Sequence, residues 1–293
     1  MRAIASALAA AVLALVPLAA CQAAGPPPPQ PQATAFKVGS LELYALRDAQ
    51  FMRPNDGTLF PGHAAEAVAE LLKAAGDAPD AIPLSVDALL VKTPDRLVLI
   101  DTGVGGVLQA SLAKAGFSPD QVTDILITHT HGDHVGGLVK DGALAFPKAT
   151  IRMSAPEWAW MQTKTAQADL VKAIAPRVKT FEPGAAVLPA VTAVPIAGHT
   201  PGHTGYEIVS DGQRLLDIGD TAHSSIVSLA HPDWPIEFDT DKAVGAKSRM
   251  AELKTLSESH ETLFAPHFPY PGVGQIEAAG GGYAFKPTVK AAQ

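Results

Sequence analysis

The sequence predicts a layered α/β fold carried by one domain, and three observations predict it. Strand-like and helix-like segments alternate from Phe36 to residue 127, as a layered α/β fold requires. The apolar run Ile125-Leu126-Ile127 reads as a short buried strand that ends in a polar, histidine-rich loop. About 250 residues follow the proline-rich start, which is one domain's worth of chain and enough to bury a core without disulfides.

Taken in order, Met1-Arg2 supplies a small positive n-region and Ala3 to Ala20 a nearly uninterrupted apolar h-region. Leu18-Ala19-Ala20-Cys21 resembles a bacterial lipoprotein cleavage box, so residues 1–20 read as a signal peptide and Cys21 as the lipidated first residue. An ordinary secretory signal with the cysteine incidental is the alternative. The apolar run falls short of a comfortable membrane span. Gln22 rather than Asp after the cysteine resembles the outer-membrane sorting pattern of Gram-negative lipoproteins. The expected location is the periplasmic side of the outer membrane, held by a lipid anchor, or else the periplasm or medium in soluble form. Residues 21–35, with Gly25-Pro26-Pro27-Pro28-Pro29, read as a polyproline tether for a domain at 36–293.

Phe36 to Tyr44 alternates as a strand. Asp48 to Phe60 mixes turn residues with Phe51, Met52 and Phe60, and the aromatics of this stretch either line a substrate pocket or pack on the sheet. Ala64 to Ala75 has helical spacing, Leu84 to Lys92 and Arg96 to Ile100 read as strands, and Val107 to Ala115 as a helix. Ser118-Pro119-Asp120-Gln121 carries an N-cap, a proline at the first helical position and a capping-box glutamine. Beyond the histidine loop, Ala149 to Met153 reads as a strand and Ala155 to Ala173 as one helix. That helix contains Trp158 and Trp160, either core residues or an overhang on the site. Val191 to Ile196 is a strand, and Tyr206 to Ser210 with Arg214 to Ile218 form a hairpin around Asp211-Gly212. Asp241 to Ser259 is a helix and Thr262 to Ala265 a last strand, while the Gly280-Gly281-Gly282 tail carries no signal.

The loop Thr128-His129-Thr130-His131-Gly132-Asp133-His134 holds three imidazoles and a carboxylate within six residues. Imidazole nitrogen and carboxylate oxygen suit zinc and similar divalent ions. In an extended segment His129 and His131 point the same way and can grip one ion. Gly132 lets the chain turn, so that Asp133 and His134 can face a second ion.

At these residues the chain resembles the metallo-β-lactamase superfamily, whose signature is H-x-H-x-D-H after a strand. The resemblance runs from about Phe36 to about Tyr283 and includes Asp101-Thr102-Gly103, Gly198-His199-Thr200-Pro201-Gly202-His203, Gly219-Asp220-Thr221 and Ala265-Pro266-His267 in the family's order. It implies a four-layer αββα sandwich holding two divalent ions, expected to be Zn2+. The first would sit on His129, His131 and His199, the second on Asp133, His134 and His267, with Asp220 bridging. His203 would support from behind, or exchange roles with His199. Asp101 would either orient a ligand histidine or cap its own turn. His223 departs from relatives with a nearby Tyr or an apolar residue, and reads as a proton donor, a carbonyl binder or a partly exposed loop histidine. Phe268-Pro269 after His267, with Phe238-Asp239-Thr240-Asp241, most resembles the methyl parathion hydrolase-like branch of organophosphate hydrolases, lactonases and aryl esterases.

The expected chemistry is hydrolysis by a hydroxide held between the metals, since zinc lowers the pKa of bound water to about 7. Asp133, Asp220 and His223 are the expected catalytic groups, and Trp158 and Phe268 the expected pocket walls. A lactone or aryl ester is the first substrate reading and an organophosphate triester the second. β-Lactam hydrolysis and iron-dependent persulfide dioxygenase chemistry fit less well, the latter because the residues for two ions are all present. Net charge of −7 without a basic cluster argues against nucleic acid as partner. No G-x-S-x-G run marks a serine nucleophile. The branch resemblance implies a homodimer.

Overall fold

The computed structural model describes residues 29–291, so residues 1–20, read as a signal peptide, and Cys21 lie outside the described residues. Two seven-stranded sheets pack face to face. The first holds β1 (Ala33–Val38), β2 (Leu41–Pro54), β3 (Ala81–Lys92), β4 (Leu97–Ile100) and β5 (Asp124–Leu126). After a small separate hairpin of β6 (Val139–Lys140) and β7 (Ala143–Leu144), β8 (Thr150–Ser154) and β9 (Val178–Phe181) complete it. The second sheet is β10 (Ala186–Leu188), β11 (Val191–Pro195), β12 (Thr204–Ser210), β13 (Gln213–Asp217), β14 (Thr262–Phe264), β15 (Val273–Ala279) and β16 (Gly282–Pro287), in that order. Pairing is parallel from β4 through β9 and between β13 and β14, and antiparallel elsewhere.

Leu43, Leu89, Val91, Val98 and Leu126 of the first sheet meet Ala193, Tyr206, Ile208, Leu215 and Phe264 of the second in a buried seam. On the outer face of the first sheet lie α2 (Leu108–Lys114), α4 (Ala155–Gln162) and α5 (Ala168–Ile174), packed on Leu99, Ile125 and Ile151. On the outer face of the second lie α6 (Val227–Ala230) and α7 (Lys242–Ser259), which bury Leu229, Leu253 and Leu256 against Leu216, Leu263 and Ile276. The result is the four-layer αββα sandwich. Strands β4, β5, β13 and β14 run the same way within their sheets, so the loops at their carboxyl ends gather at one edge of the sandwich.

The strand read at Phe36 to Tyr44 is in fact two strands turning at Gly39-Ser40. Its second member, β2, continues through the stretch read as turn as far as Pro54, paired with Ala81. Pairing of β2 with β1 ends at Leu46 and of β3 with β4 at Leu89, so residues 47–54 and 81–88 extend as a two-stranded ribbon. The helix read at Ala155 to Ala173 breaks after Gln162, where the Thr163 hydroxyl donates to Trp160 O at 2.7 Å. Such local side-chain bonding competes with helix continuation. The glycine tail hides the β15–β16 hairpin, turned by Gly280 and Gly281 at positive φ.

Candidate metal centre

The loop after β5 carries His129, His131, Asp133 and His134, the last two on the short helix α3 (Gly132–Val135). The loops after β11, β13 and β14 bring His199, Asp220 and His267 to the same place. His129 Nε2, His131 Nδ1 and His199 Nε2 form a triangle with sides of 2.9, 3.1 and 3.1 Å. On the other side, His134 Nε2 and His267 Nε2 lie 3.0 and 3.1 Å from Asp220 Oδ1, with Asp133 Oδ2 3.6 Å from His267. Asp220 Oδ2 faces the first group, 3.3 Å from His199 Nε2 and 3.6 Å from His129 Nε2. One carboxylate therefore presents one oxygen to each group.

These donors fit two divalent metal ions. Imidazole donors on a tetrahedral ion with bonds of about 2.05 Å stand about 3.3 Å apart, close to the triangle's sides. Three ring nitrogens converging on one point cannot all satisfy one another by hydrogen bonds, because each presents there either a donor or an acceptor and not both. His134 Nε2 and Asp220 Oδ1 are buried without hydrogen-bond partners, an arrangement a cation between them resolves. The four atoms of His129, His131, His199 and Asp220 lie within 4.8 Å of one another, as do those of Asp133, His134 and His267.

Behind the donors, three of the rings, those of His134, His199 and His267, are held by hydrogen bonds. His134 Nδ1 is 2.7 Å from Asp101 Oδ2, and the same carboxylate accepts from the N–H and hydroxyl of Thr128, so Asp101 orients a histidine. His199 Nδ1 is 3.0 Å from Asp239 Oδ1, whose other oxygen is 3.5 Å from the fully buried Arg249. His267 Nδ1 donates to Ser85 O at 2.6 Å. His203 stays behind the site: its Nδ1 donates to Ile196 O, and its Nε2 accepts from the Asp220 N–H at 2.9 Å. A Cβ at Gly219 would stand 2.6 Å from that Nε2, so only glycine admits the contact. A Cβ at Gly103 would similarly meet Asp48, whose carboxylate ties the loop after β4 through the Val104 and Leu108 N–H groups.

Glu157, which reading the sequence did not find, joins two of these loops. Fully buried on α4, it accepts from the Thr130 N–H and hydroxyl with one oxygen and from the Thr200 hydroxyl and Gly202 N–H with the other. A glutamate on a helix surrounded by apolar residues gives no sequence signal of this task. Asp239 and Arg249 were likewise hidden, apart from the aspartate-rich stretch in which Asp239 sits.

Burial, helped by repulsion between rings, pushes His129 well below its ordinary pKa and His131 down to about 3, leaving both neutral and able to donate lone pairs. Burial would raise Asp220, but His134 and His267 outweigh it and hold the carboxylate ionised. Burial also opposes charge on His267, but Asp220 pushes it up to about 9.

A cavity of about 560 Å³ opens over this floor, walled by Phe51, Met52, Pro54, Leu84 and Phe238, with Arg53 among them. His223 reaches it from the loop after β13, 1% exposed rather than on an open loop, stacked on His267 and with Nε2 3.2 Å from Asp220 Oδ2. Two expected wall residues are elsewhere. Trp158 packs against the core under the first sheet, because the helix turns that face inward; Trp160 is the tryptophan whose ring meets His131, at 5.8 Å. Phe268 is fully buried among Leu229, Leu253 and Ile276, because the chain turns inward after His267.

The fold and the donor set together define a metal-dependent hydrolase, and the chain belongs to the metallo-β-lactamase superfamily, whose model matches residues 81–267. Among solved structures, AidC, described as a dizinc quorum-quenching lactonase in complex with a product, superposes with a TM-score of 0.85 at 30% identity over 89% of this chain and 98% of its own. The hydrolase AbOPH superposes at 0.81 with 31% identity, over 87% of this chain and 97% of its own. An uncharacterized protein of Bacillus subtilis, YobT, is 27% identical over 52% of this chain and 70% of its own. A hydroxyacylglutathione hydrolase of Rhodopseudomonas palustris is 38% identical over 43% of this chain and 42% of its own length.

Proposed function

We propose that this protein is a binuclear hydrolase of lactones or aryl esters, with zinc as its metal. The observation that carries the reading is Asp220, one oxygen toward each donor group, at the floor of a cavity with apolar walls. The similarity to AidC over nearly the whole of both chains supports lactones as the substrate class.

His129, His131 and His199 would hold one ion, Asp133, His134 and His267 the other, and Asp220 both. Such ions supply Lewis acidity and lower the pKa of bound water to about 7. The chain's own contribution is position and shielding. Asp101, Asp239 and Ser85 O fix which ring nitrogen of His134, His199 and His267 faces inward. Phe51, Met52, Leu84 and Phe238 keep water from the acyl chain of a bound substrate and leave its carbonyl over the floor. His223 carries a proton on one nitrogen when neutral, and stands beside Asp220 where a leaving oxygen or a carbonyl can accept it.

Metal content by plasma mass spectrometry, with turnover of dihydrocoumarin, an acyl-homoserine lactone, a 4-nitrophenyl ester, paraoxon and nitrocefin on the same sample, tests this. Two zincs per chain, with lactone or ester turnover lost to a chelator and restored by zinc, is the expected result. One iron and no hydrolysis would overturn it.

A further inference from the structure

Arg53 sits in the cavity wall between the apolar side chains of Met52 and Pro54, on the ribbon that projects beyond the first sheet. Its guanidinium lies 5.4 Å over the ring of Phe238, which itself contacts His223. Stacking of this kind uses the face of a guanidinium and leaves its N–H groups, which radiate in the plane, available to a partner. Nε is buried and has no hydrogen-bond partner, and no carboxylate among the described residues pairs with the group. Asp56, the exposed acid nearby in sequence, gives one oxygen to the N–H and hydroxyl of Thr58, and Arg53 helps to lower its pKa from beyond ion-pair distance. Asp133 and Asp220 line the same cavity but face the histidines on its floor.

A half-buried cation in an apolar wall, with its buried Nε unbonded and only an exposed carboxylate beyond ion-pair distance, gains more from a ligand that brings a charge into contact than a solvated surface cation would. The planar fork of a guanidinium matches a carboxylate best, because two parallel N–H groups reach its two oxygens. In a chain of net charge −7, a half-buried cation that forms no ion pair in the cavity wall is also a feature not explained by general surface balance.

We infer that Arg53 selects substrates bearing a carboxylate at the end remote from the scissile bond, so that the preferred esters and lactones are half-esters of dicarboxylic acids or their cyclic equivalents. The inference rests on the hydrolase reading for the word substrate, but the anion site itself does not require turnover.

The test compares the mono-4-nitrophenyl esters of succinate, glutarate and adipate with the same esters methylated at the free carboxyl, using zinc-loaded full-length protein and its Arg53→Lys and Arg53→Met variants. The wild type is expected to favour at least one free acid over its methyl ester by about tenfold in kcat/KM, mostly through KM, a ratio typical of one charge-assisted contact. The ratio falls to near one in Arg53→Met and to an intermediate value in Arg53→Lys. An equal ratio in wild type and Arg53→Met would overturn the inference and reduce Arg53 to a packing partner of Phe238. Calorimetric binding of glutarate mono-anilide and its methyl ester to the same proteins separates the two readings. Acid-selective binding lost in Arg53→Met without any turnover would sink the hydrolase reading and keep the anion site; turnover without acid selectivity would do the reverse.

Discussion

The floor of the cavity and its rim are built on opposite principles. On the floor, His134, His199 and His267 are each held by a second contact, with Asp101, Asp239 and Ser85 O, and Glu157 binds the loops of His129/His131 and His199 to each other. At the rim, Phe51 and Met52 are 44% and 47% exposed on a ribbon that has outrun its neighbouring strands. Geometry fixed to a fraction of an ångström suits ions whose bond lengths hardly vary, whereas a wall that meets flexible acyl chains gains from slack. If this contrast is right, substitutions on the floor change metal content and activity together, and substitutions at the rim change only which substrate is handled well.

The largest effect belongs to Asp220. Asp220→Ala removes the oxygen facing each donor group, so it should lower kcat/KM by about a thousandfold, equivalent to roughly 4 kcal/mol, and lower metal content with it. Mass spectrometry and ester turnover on the same sample check this; full metal content with normal turnover would take Asp220 out of the site.

Next comes Glu157, which touches no donor histidine. Glu157→Ala leaves four buried donors without partners at Thr130, Thr200 and Gly202, and should cost about 3 kcal/mol of stability, or roughly 8 °C in Tm. A melting curve unchanged by this substitution would show that water replaces the carboxylate, and the floor would be less rigid than its hydrogen bonds imply. The pair behind His199 matters both for folding, because Arg249 also donates to Pro232 O, Thr221 O and Trp234 O, and for the ion. Arg249→Met frees Asp239 and is expected to weaken metal binding by about 10–100-fold in chelator competition, the range usual when a group orienting a ligand histidine is lost.

This division also sets what could be read from the sequence. The donors were legible because each sits in a short run of glycines and polar residues at a strand end, His129 to His134 above all, and because the chemistry of a metal needs those residue types. For Asp101 the sequence leaves two readings open, and its contact with His134 Nδ1 decides between them. Glu157 was not legible, since a lone glutamate on a helix reads as a solvated charge until Thr130 and Thr200 are seen to converge on it from distant loops. The walls are not legible: both expected residues lie elsewhere, and Phe51 reads equally as pocket or packing. Phe51 and Met52 reach the cavity because β2 runs on through apparent turn residues, pairing with β3 that the sequence places thirty residues away. Trp158 and Phe268 missed it because the direction of a side chain depends on where a helix breaks and a loop turns inward, which is decided by tertiary packing.

At the rim, Met52→Ala should leave Tm and metal content as they are and raise KM for long-chain esters by about fivefold, corresponding to about 1 kcal/mol of apolar contact. A comparable loss on short-chain esters would mean that the rim shapes the floor as well, and the contrast would fail.

The smallest effect lies at the far end of β5, and serves as the control for charge that is buried but not in the site. Asp124 is buried between Arg152 and Arg96, each 2.8 Å from it. Burial raises its pKa, but the hydrogen bonds from Arg152 and Arg96 outweigh that and hold the carboxyl below its ordinary value. A depressed folded pKa gives stability that is present above the unfolded value of about 4 and is lost as the pH falls through the folded value. Asp124→Asn should therefore cost about 1 kcal/mol at pH 7, since the arginines are partly solvated, and the difference from wild type in urea denaturation should shrink below about pH 4. Because β5 also leads into His129, metal content measured on the same variant carries the comparison further. A strand that transmits this loss to the floor would make the donors' rigidity a property of the whole sheet, whereas unchanged metal content would confine it to the contacts made behind each ring.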